Sequence, residues 1–424
     1  MTWPRLAAIA AAALVLAAPA TGDAAVRGTA VSSALAASGP AYKSGSHLCA
    51  VGTTHFRVIW DETRGSKQRP SGANARDGRC STVPSRVRRI AGLMEKIRRS
   101  ELALGFRPPA SDAGLRRNGG DGRYDIYLAR QAPGVLGQTA CSYQTIGGRL
   151  GRRWSSTEIV AVQPQAVDPD RQLRETLAHE YFHGIQCRIA PRLNLLPASL
   201  VEGTANWMAA VVTPDWARAE GTFLGGLAGR MVQAASSTRS VTTQTYSSWG
   251  FWYEVTTGGI NPGVIRKLFE RQARRTRRAS ADSETRAVVR NLEPILMRYA
   301  EALRGARMLG FVELPQQYRN ELRDPTPLID LALGLRVQTK TVSVARIGYR
   351  FPGLAWDDDS GLITMRVTGA PATAVSLIGT FSTREVLEDG SVVFRVDGST
   401  AGEATLILVN GSRTTRNVRI AVSH

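Results

Sequence analysis

The chain has 424 residues, 43% of them hydrophobic, enough for real cores in two or three domains and unlike a disordered chain. Its 54 Lys and Arg against 35 Asp and Glu give a formal charge of +19, yet no zinc-finger, RNA-recognition or helix-turn-helix signature accompanies that charge, which argues against specific nucleic-acid binding. Beyond the first 20 residues no stretch approaches the roughly 20 uninterrupted apolar residues that a membrane span needs.

In chain order, 1–20 reads as a secretory signal. Arg5 supplies a short positive region, Leu6 to Ala17 an apolar run too short for a comfortable span, and Ala18-Pro19-Ala20 a small-residue cleavage site. The expectation is an exported protein, secreted or associated with the cell envelope, with no transmembrane span in the mature chain. Residues 21–46 are small and weakly patterned, a flexible N-terminus. Thr54 to Trp60 alternates as a first strand, opened by a His55 read as structural. Val87, Ile90, Leu93, Met94 and Ile97 recur at helical spacing within a helix from about Pro84 to Leu104. Tyr124 to Leu128 and Glu158 to Val162 are further strands. Cys49, Cys80, Cys141 and Cys187 are an even set in an exported chain, so two disulfides are expected. Three pairings are open, with Cys49–Cys80 and Cys141–Cys187 preferred.

The chemistry concentrates at Leu173 to Cys187, around His179-Glu180-Tyr181-Phe182-His183. Asp168 can cap a helix there and Pro169 suits its first position. Residues four apart share a helix face, so His179 and His183 can present two imidazoles to one ion. Glu180 beside them can take a proton from a metal-activated water without ligating the metal. Catalytic zinc usually takes three protein ligands, and the best third is Glu202 in Leu200-Val201-Glu202-Gly203-Thr204-Ala205-Asn206-Trp207. The spacing gives room for a turn through Pro197 and a second, antiparallel helix capped by Ser199, with Glu202 one turn inside it.

H-E-Y-F-H-x-x-Q, ending at Gln186, followed by Glu202-Gly203-Thr204-Ala205-Asn206-Trp207 resembles the gluzincin metallopeptidases, and within them bacterial extracellular members with a peptidase-MA-like domain. The likeness covers roughly Thr54 to Arg271 and is strongest at the two helices. It implies one Zn2+ per chain on His179, His183 and Glu202, a zincin-like fold, and hydrolysis of a peptide or protein substrate with Glu180 as general base. It also implies that an edge strand within Thr139 to Val162 holds substrate backbone. A Tyr or His of the post-ligand helix in such enzymes can donate to the oxyanion. Tyr246 is the candidate in Tyr246-Ser-Ser-Trp-Gly-Phe-Trp-Tyr253, with Tyr253 second. No G-x-M-E-N-type amine-binding motif is present, which favours an endopeptidase. The competing class is a catalytically inactive peptidase-fold binding protein of the cell envelope.

After Pro214 the sequence predicts a helix at 219–235, another starting at Asn261-Pro262, helical residues from Ser283 to Met308 interrupted by Pro294, and a short helix within Pro325 to Leu335. The basic run Arg266 to Arg278 is a candidate contact for an anionic cell-wall polymer, though a solvated helix face is the simpler reading. From Val337 onward Val, Thr, Gly and Ser dominate. Thr339–Ala345, Gly361–Val367, Ser391–Val396, Ala404–Leu408 and Thr415–Val422 read as strands, with Asn410-Gly411 as a hairpin turn. Asp357, Asp358 and Asp359 form a solvated acidic turn rather than a calcium loop. The expected architecture is α+β: a zincin-like domain over 47–336, then a β-sandwich over 337–424.

Overall fold

The computed structural model of the chain describes residues 29–31, 47–63, 80, 82–111, 113, 121–129, 131–132, 135–146, 149–160, 169–190, 192–213, 240–256, 261–275, 277–304, 307–308, 312–313, 327–330, 337–344, 348–350, 353–356, 361–379, 383–398 and 402–423. The leader expected at 1–20, the Asp168 cap, the helix at 219–235 and the acidic run Asp357 to Asp359 lie outside these residues.

The fold mixes α and β. Strands β1 (Thr29–Val31), β2 (Leu48–Gly52), β3 (Phe56–Asp61), β4 (Tyr124–Ala129), β5 (Gly137–Ile146) and β6 (Arg149–Val160) make one sheet in the order β1-β2-β3-β4-β6-β5. β3/β4 and β4/β6 are parallel and the remaining pairs antiparallel, leaving β5 as an edge. Two strands precede the one expected to come first. β1 lies inside the stretch expected to be flexible: three residues are too few to show a side-chain pattern, and backbone pairing to β2 defines it.

One face of the sheet carries Phe56, Val58, Trp60, Ile126 and Leu128. They share a cluster with Val87, Ile90, Met94 and Ile97 of α1 (Ser85–Ala103) and with Leu177, Tyr181, Phe182 and Ile185 of α2 (Pro169–Ile189). These are the apolar positions that recur at helical spacing, and burying them on the sheet is what sustains both helices. His55 bonds Glu95 of α1 through both its backbone N–H and its ring Nδ1, each at 2.9 Å, a structural tie as expected. α3 (Ala198–Val212) packs on α2. It begins at Pro197 with no side-chain cap, so the expected Ser199 cap is corrected. Ser199 is instead buried in the first turn, and its carbonyl accepts a hydrogen bond from Ser248 Oγ at 3.0 Å.

Both preferred disulfide pairs form. Cys49–Cys80 has Cα atoms 5.4 Å apart and Cys141–Cys187 5.8 Å apart. The second ties edge strand β5 to α2. Closing loops of 31 and 46 residues restricts the unfolded chain by about 4 kcal/mol each.

Further along come α4 (Trp249–Val255), α5 (Gly263–Ala273), α6 (Ala281–Val288) and α7 (Leu292–Arg304). The break expected at Pro294 falls earlier, at a left-handed Asn291 (φ 55°), so that Pro294 sits in the first turn of α7, where a missing N–H is harmless.

A short pair, β7 (Arg307–Met308) and β8 (Val312–Glu313), leads to two five-stranded sheets. The first contains β10 (Val337–Val344), β13 (Gly361–Thr368), β15 (Thr383–Val386), β16 (Val392–Gly398) and β18 (Arg416–Ser423). The second contains β9 (Pro327–Asp330), β11 (Gly348–Arg350), β12 (Gly353–Trp356), β14 (Val375–Gly379) and β17 (Gly402–Asn410). Inward residues of both sheets, among them Ile363, Met365, Phe394, Leu406 and Ile420, form one cluster, the arrangement of a β-sandwich.

Two expectations are corrected here. The described part of the helix expected within Pro325 to Leu335 is strand β9, because a parallel pairing with β12 outweighs local propensity in a short apolar run. Asn410-Gly411 is not a hairpin turn, since β17 and β18 lie in different sheets. Asn410 Nδ2 donates to the carbonyls of Val344 and Thr414 at 2.9 Å each, and Arg286 holds the carbonyls of Gly411 and Ser412, so tertiary contacts shape the turn.

Candidate metal centre

α2 and α3 bring His179, His183 and Glu202 together. The two Nε2 atoms are 2.9 Å apart, and Glu202 Oε2 lies 3.2 Å from that of His179 and 3.5 Å from that of His183. Among the described residues, one other group has metal-ligand proximity: His47, Cys49 and Cys80. Its two sulfurs are joined as a disulfide, which removes them as thiolate ligands.

The hydrogen bonds behind the imidazoles fix which atoms face inward. His179 Nδ1 is 2.7 Å from Asn206 Oδ1, and His183 Nδ1 is 2.7 Å from Gln186 Oε1. Both amides are oriented by their own nitrogens. Asn206 Nδ2 donates to the Tyr246 carbonyl at 3.1 Å, while Gln186 Nε2 donates to the Val201 carbonyl and to Thr204 Oγ1, both at 2.9 Å. An amide oxygen only accepts, so each Nδ1 carries a hydrogen, and in the neutral ring each Nε2 presents its lone pair to the centre. Two lone pairs and a carboxylate oxygen repel one another unless positive charge sits among them.

Without an ion, the same negative charge favours a proton on His183, which a bound cation displaces. Burial pulls the His183 imidazole down, but the hydrogen bond to Glu202, the charges of Glu180 and Glu202, and the Gln186 hydrogen bond outweigh it and hold the group at about 9. Burial pushes Glu202 up, yet the two imidazoles draw it well below the usual carboxylate range. With that proton displaced, the donor set fits a divalent cation: two imidazole nitrogens and one carboxylate oxygen, oriented from behind.

Glu180 points elsewhere. Its Oε2 accepts a hydrogen bond from Thr139 Oγ1 of β5 at 2.8 Å, so the carboxylate sits between the helix and the edge strand rather than among the three converging atoms. A cavity of about 460 Å³ opens here, lined by His179, Glu180, His183 and Glu202 on one side and by residues 135–139 and Tyr246 on others. Tyr246 is 37% exposed and reaches this cavity. Tyr253, the second candidate, is half-buried in α4 and is not among the lining residues; burial, then the charge of Glu254, pushes its phenol above the usual value.

The structure thus brings together His179, Glu180, His183 and Glu202, with Tyr246 lining the same cavity, and leaves Tyr253 outside it. Asn206 and Thr139 carry no ligand-like signal in the sequence, and Gln186 none beyond the motif it closes. Asn206 was within reach of helical periodicity, one turn beyond Glu202 on the same face, as Gln186 is one turn beyond His183. Thr139 was not, lying 41 residues from Glu180 on a different element.

No protein-family model, no curated protein and no solved structure matches the chain. Among the described residues no helix is long and apolar enough to cross a membrane.

Proposed function

We propose that the protein is a zinc-dependent peptidase of the gluzincin type, with a zincin-like catalytic unit over 47–336 and an accessory sandwich over 337–424. The observation that carries this reading is the convergence of His179 Nε2, His183 Nε2 and Glu202 Oε2, each imidazole backed by an amide oxygen, with Glu180 alongside. Bound there, Zn2+ would supply Lewis acidity to a water and to the scissile carbonyl. Glu180 takes the water's proton and later delivers it to the leaving amine. Tyr246 reaches the same cavity with a phenol that donates to the carbonyl oxygen as it gains charge. β5, an outermost strand of its sheet among the described residues, lies beside the cavity and is where an extended substrate backbone pairs, which suits an endopeptidase. Export belongs to the same proposal, supported by the leader-like residues 1–20 and the two disulfides.

The test is metal content together with peptide-library digestion. One zinc per chain, lost in Glu202→Ala, with chelator-sensitive cleavage lost in Glu180→Gln, is the expected result. A zinc-loaded protein that cuts nothing overturns the peptidase reading in favour of a peptidase-fold binding protein, and failure of the protein to take zinc overturns the centre itself.

A further inference from the structure

We infer that Thr139 is the positioning residue for Glu180, and that hydroxyls running from Tyr124 through Thr157 to Thr139 fix the direction in which it donates. The inference rests on the proposed role of Glu180 as proton carrier. Four oxygens form the chain: Tyr124 OH lies 2.9 Å from Thr157 Oγ1, which lies 3.0 Å from Thr139 Oγ1, which lies 2.8 Å from Glu180 Oε2 and 2.8 Å from the Glu180 carbonyl.

A hydroxyl has one hydrogen to give. The Glu180 carbonyl and carboxylate both accept, so the single Thr139 hydrogen is shared between these two oxygens of Glu180. Thr139 must then receive from Thr157, and Thr157 from Tyr124. Burial pushes the Tyr124 phenol above the usual tyrosine range, so it keeps the proton it has to donate. Every hydrogen therefore points toward Glu180. One carboxylate oxygen is held as an acceptor against β5, and Glu180 lines the cavity beside it.

Independent features of the chain hold these parts in place. Thr139 and Cys141 are two apart on β5 and so share a face of the strand. Cys141 is joined to Cys187, two helical turns beyond Glu180 on α2. The strand is thus fastened to the helix at two points, one covalent and one through Glu180. Gly184 leaves the room the chain needs: a Cβ there would stand 2.8 Å from Tyr124 OH. The hydrogen bonds of Tyr124, Thr157 and Thr139 run to one another and on to Glu180, so the device acts on the base.

Thr139→Val keeps the side chain's shape and removes the donor. The expected result is a fall in kcat of about 10- to 100-fold at unchanged KM and unchanged zinc content, because the base is present but misplaced. Thr139→Ser restores most of the loss, and Thr157→Val and Tyr124→Phe give progressively smaller ones. A purely structural role would lower thermal stability without separating kcat from KM. The second readout needs no turnover: in crystals of zinc-free Thr139→Val, the Glu180 carboxylate leaves its place beside β5 while His179, His183 and Glu202 stay. If Thr139→Val does not fold, Thr157→Val bears the same test. Wild-type kcat in the variant, or Glu180 unmoved in its crystals, overturns the inference. If the wild-type protein hydrolyses nothing, the peptidase reading fails by itself, and the crystals still decide whether Thr139 positions Glu180.

Discussion

Around α2 and α3 the buried polar side chains face one another: His179, Glu180, His183, Gln186, Thr204 and Asn206 are all buried, and their hydrogen bonds run from side chain to side chain toward one cavity. The two sheets of the sandwich bury Ile, Val, Leu, Met and Phe, and the polar groups buried with them, Ser391, Thr405 and Asn410 among the described residues, are few and scattered. Ser391 and Asn410 secure turns there. Desolvating a polar group is unfavourable unless it finds a partner, so a region that buries many of them needs them for something other than stability. Burial alone does not make the distinction: Asp282, also buried, takes hydrogen bonds from Ser240 and Thr242 and simply fastens a turn to α6. What separates the centre is that its polar groups converge on a space large enough for a ligand.

The sharpest way to break this comparison is Glu180→Gln. If Glu180 carries the proton as proposed, its loss is expected to lower turnover by about 10²- to 10⁴-fold with zinc retained, measured by peptide cleavage beside metal analysis. The converse belongs to the sandwich. Phe394→Ala removes a fully buried ring and is expected to destabilise by about 3–5 kcal/mol in denaturant unfolding while the remaining folded protein binds zinc normally. Asn206→Ala should act in the opposite sense, weakening zinc binding by about 10- to 100-fold in a competitive chelator titration, because His179 loses the acceptor that sets its tautomer.

The smallest effect tests polar burial without convergence. Glu101 of α1 is fully buried, and neither carboxylate oxygen has a hydrogen-bond partner among the described residues; burial raises its pKa well above the ordinary value of 4.5. The unfolded chain releases this proton near the ordinary value and the folded one only at higher pH. Stability from this group is therefore complete below pH 4.5 and declines as pH rises, by at most about 1.4 kcal/mol per unit. Glu101→Met should remove that slope, so its advantage in urea unfolding is smallest at pH 4 and grows toward neutrality. An advantage that is constant with pH would mean the carboxyl is not the cause.

Much of the centre was legible because it is written on helices. The His179/His183 spacing, Glu202 one turn into the next helix and the apolar stripe of α1 are all local periodicities, and the structure places each where that periodicity puts it. The unread part depends on pairing between distant segments. β5 carries Gln138, Thr139, Cys141 and Ser142 rather than an apolar alternation, so its own sequence hardly marks it as a strand; pairing with β6 does. Its contact with Glu180 follows from that pairing. The same cause made β9 look helical, since a short apolar run fits either element until β12 lies beside it. Asn410-Gly411 has the chemistry of a tight turn, but its destination is decided by Arg286 and Val344, far away in the chain.

Strand β17 is buried without interruption from Ala404 to Asn410. Ala404, Leu406 and Leu408 belong to the interior of the sandwich, whereas Ile407 and Val409 belong to the cluster that holds Leu296, Tyr299, Ala300 and Leu303 of α7. A strand that serves as wall for two rooms cannot be carried off with either. Cutting the chain ahead of the sandwich would strip the cover from α7 and leave a greasy, association-prone face on the remainder. The C-terminal sheets are therefore not a detachable module to be trimmed for convenience; the cover they give α7 goes with them.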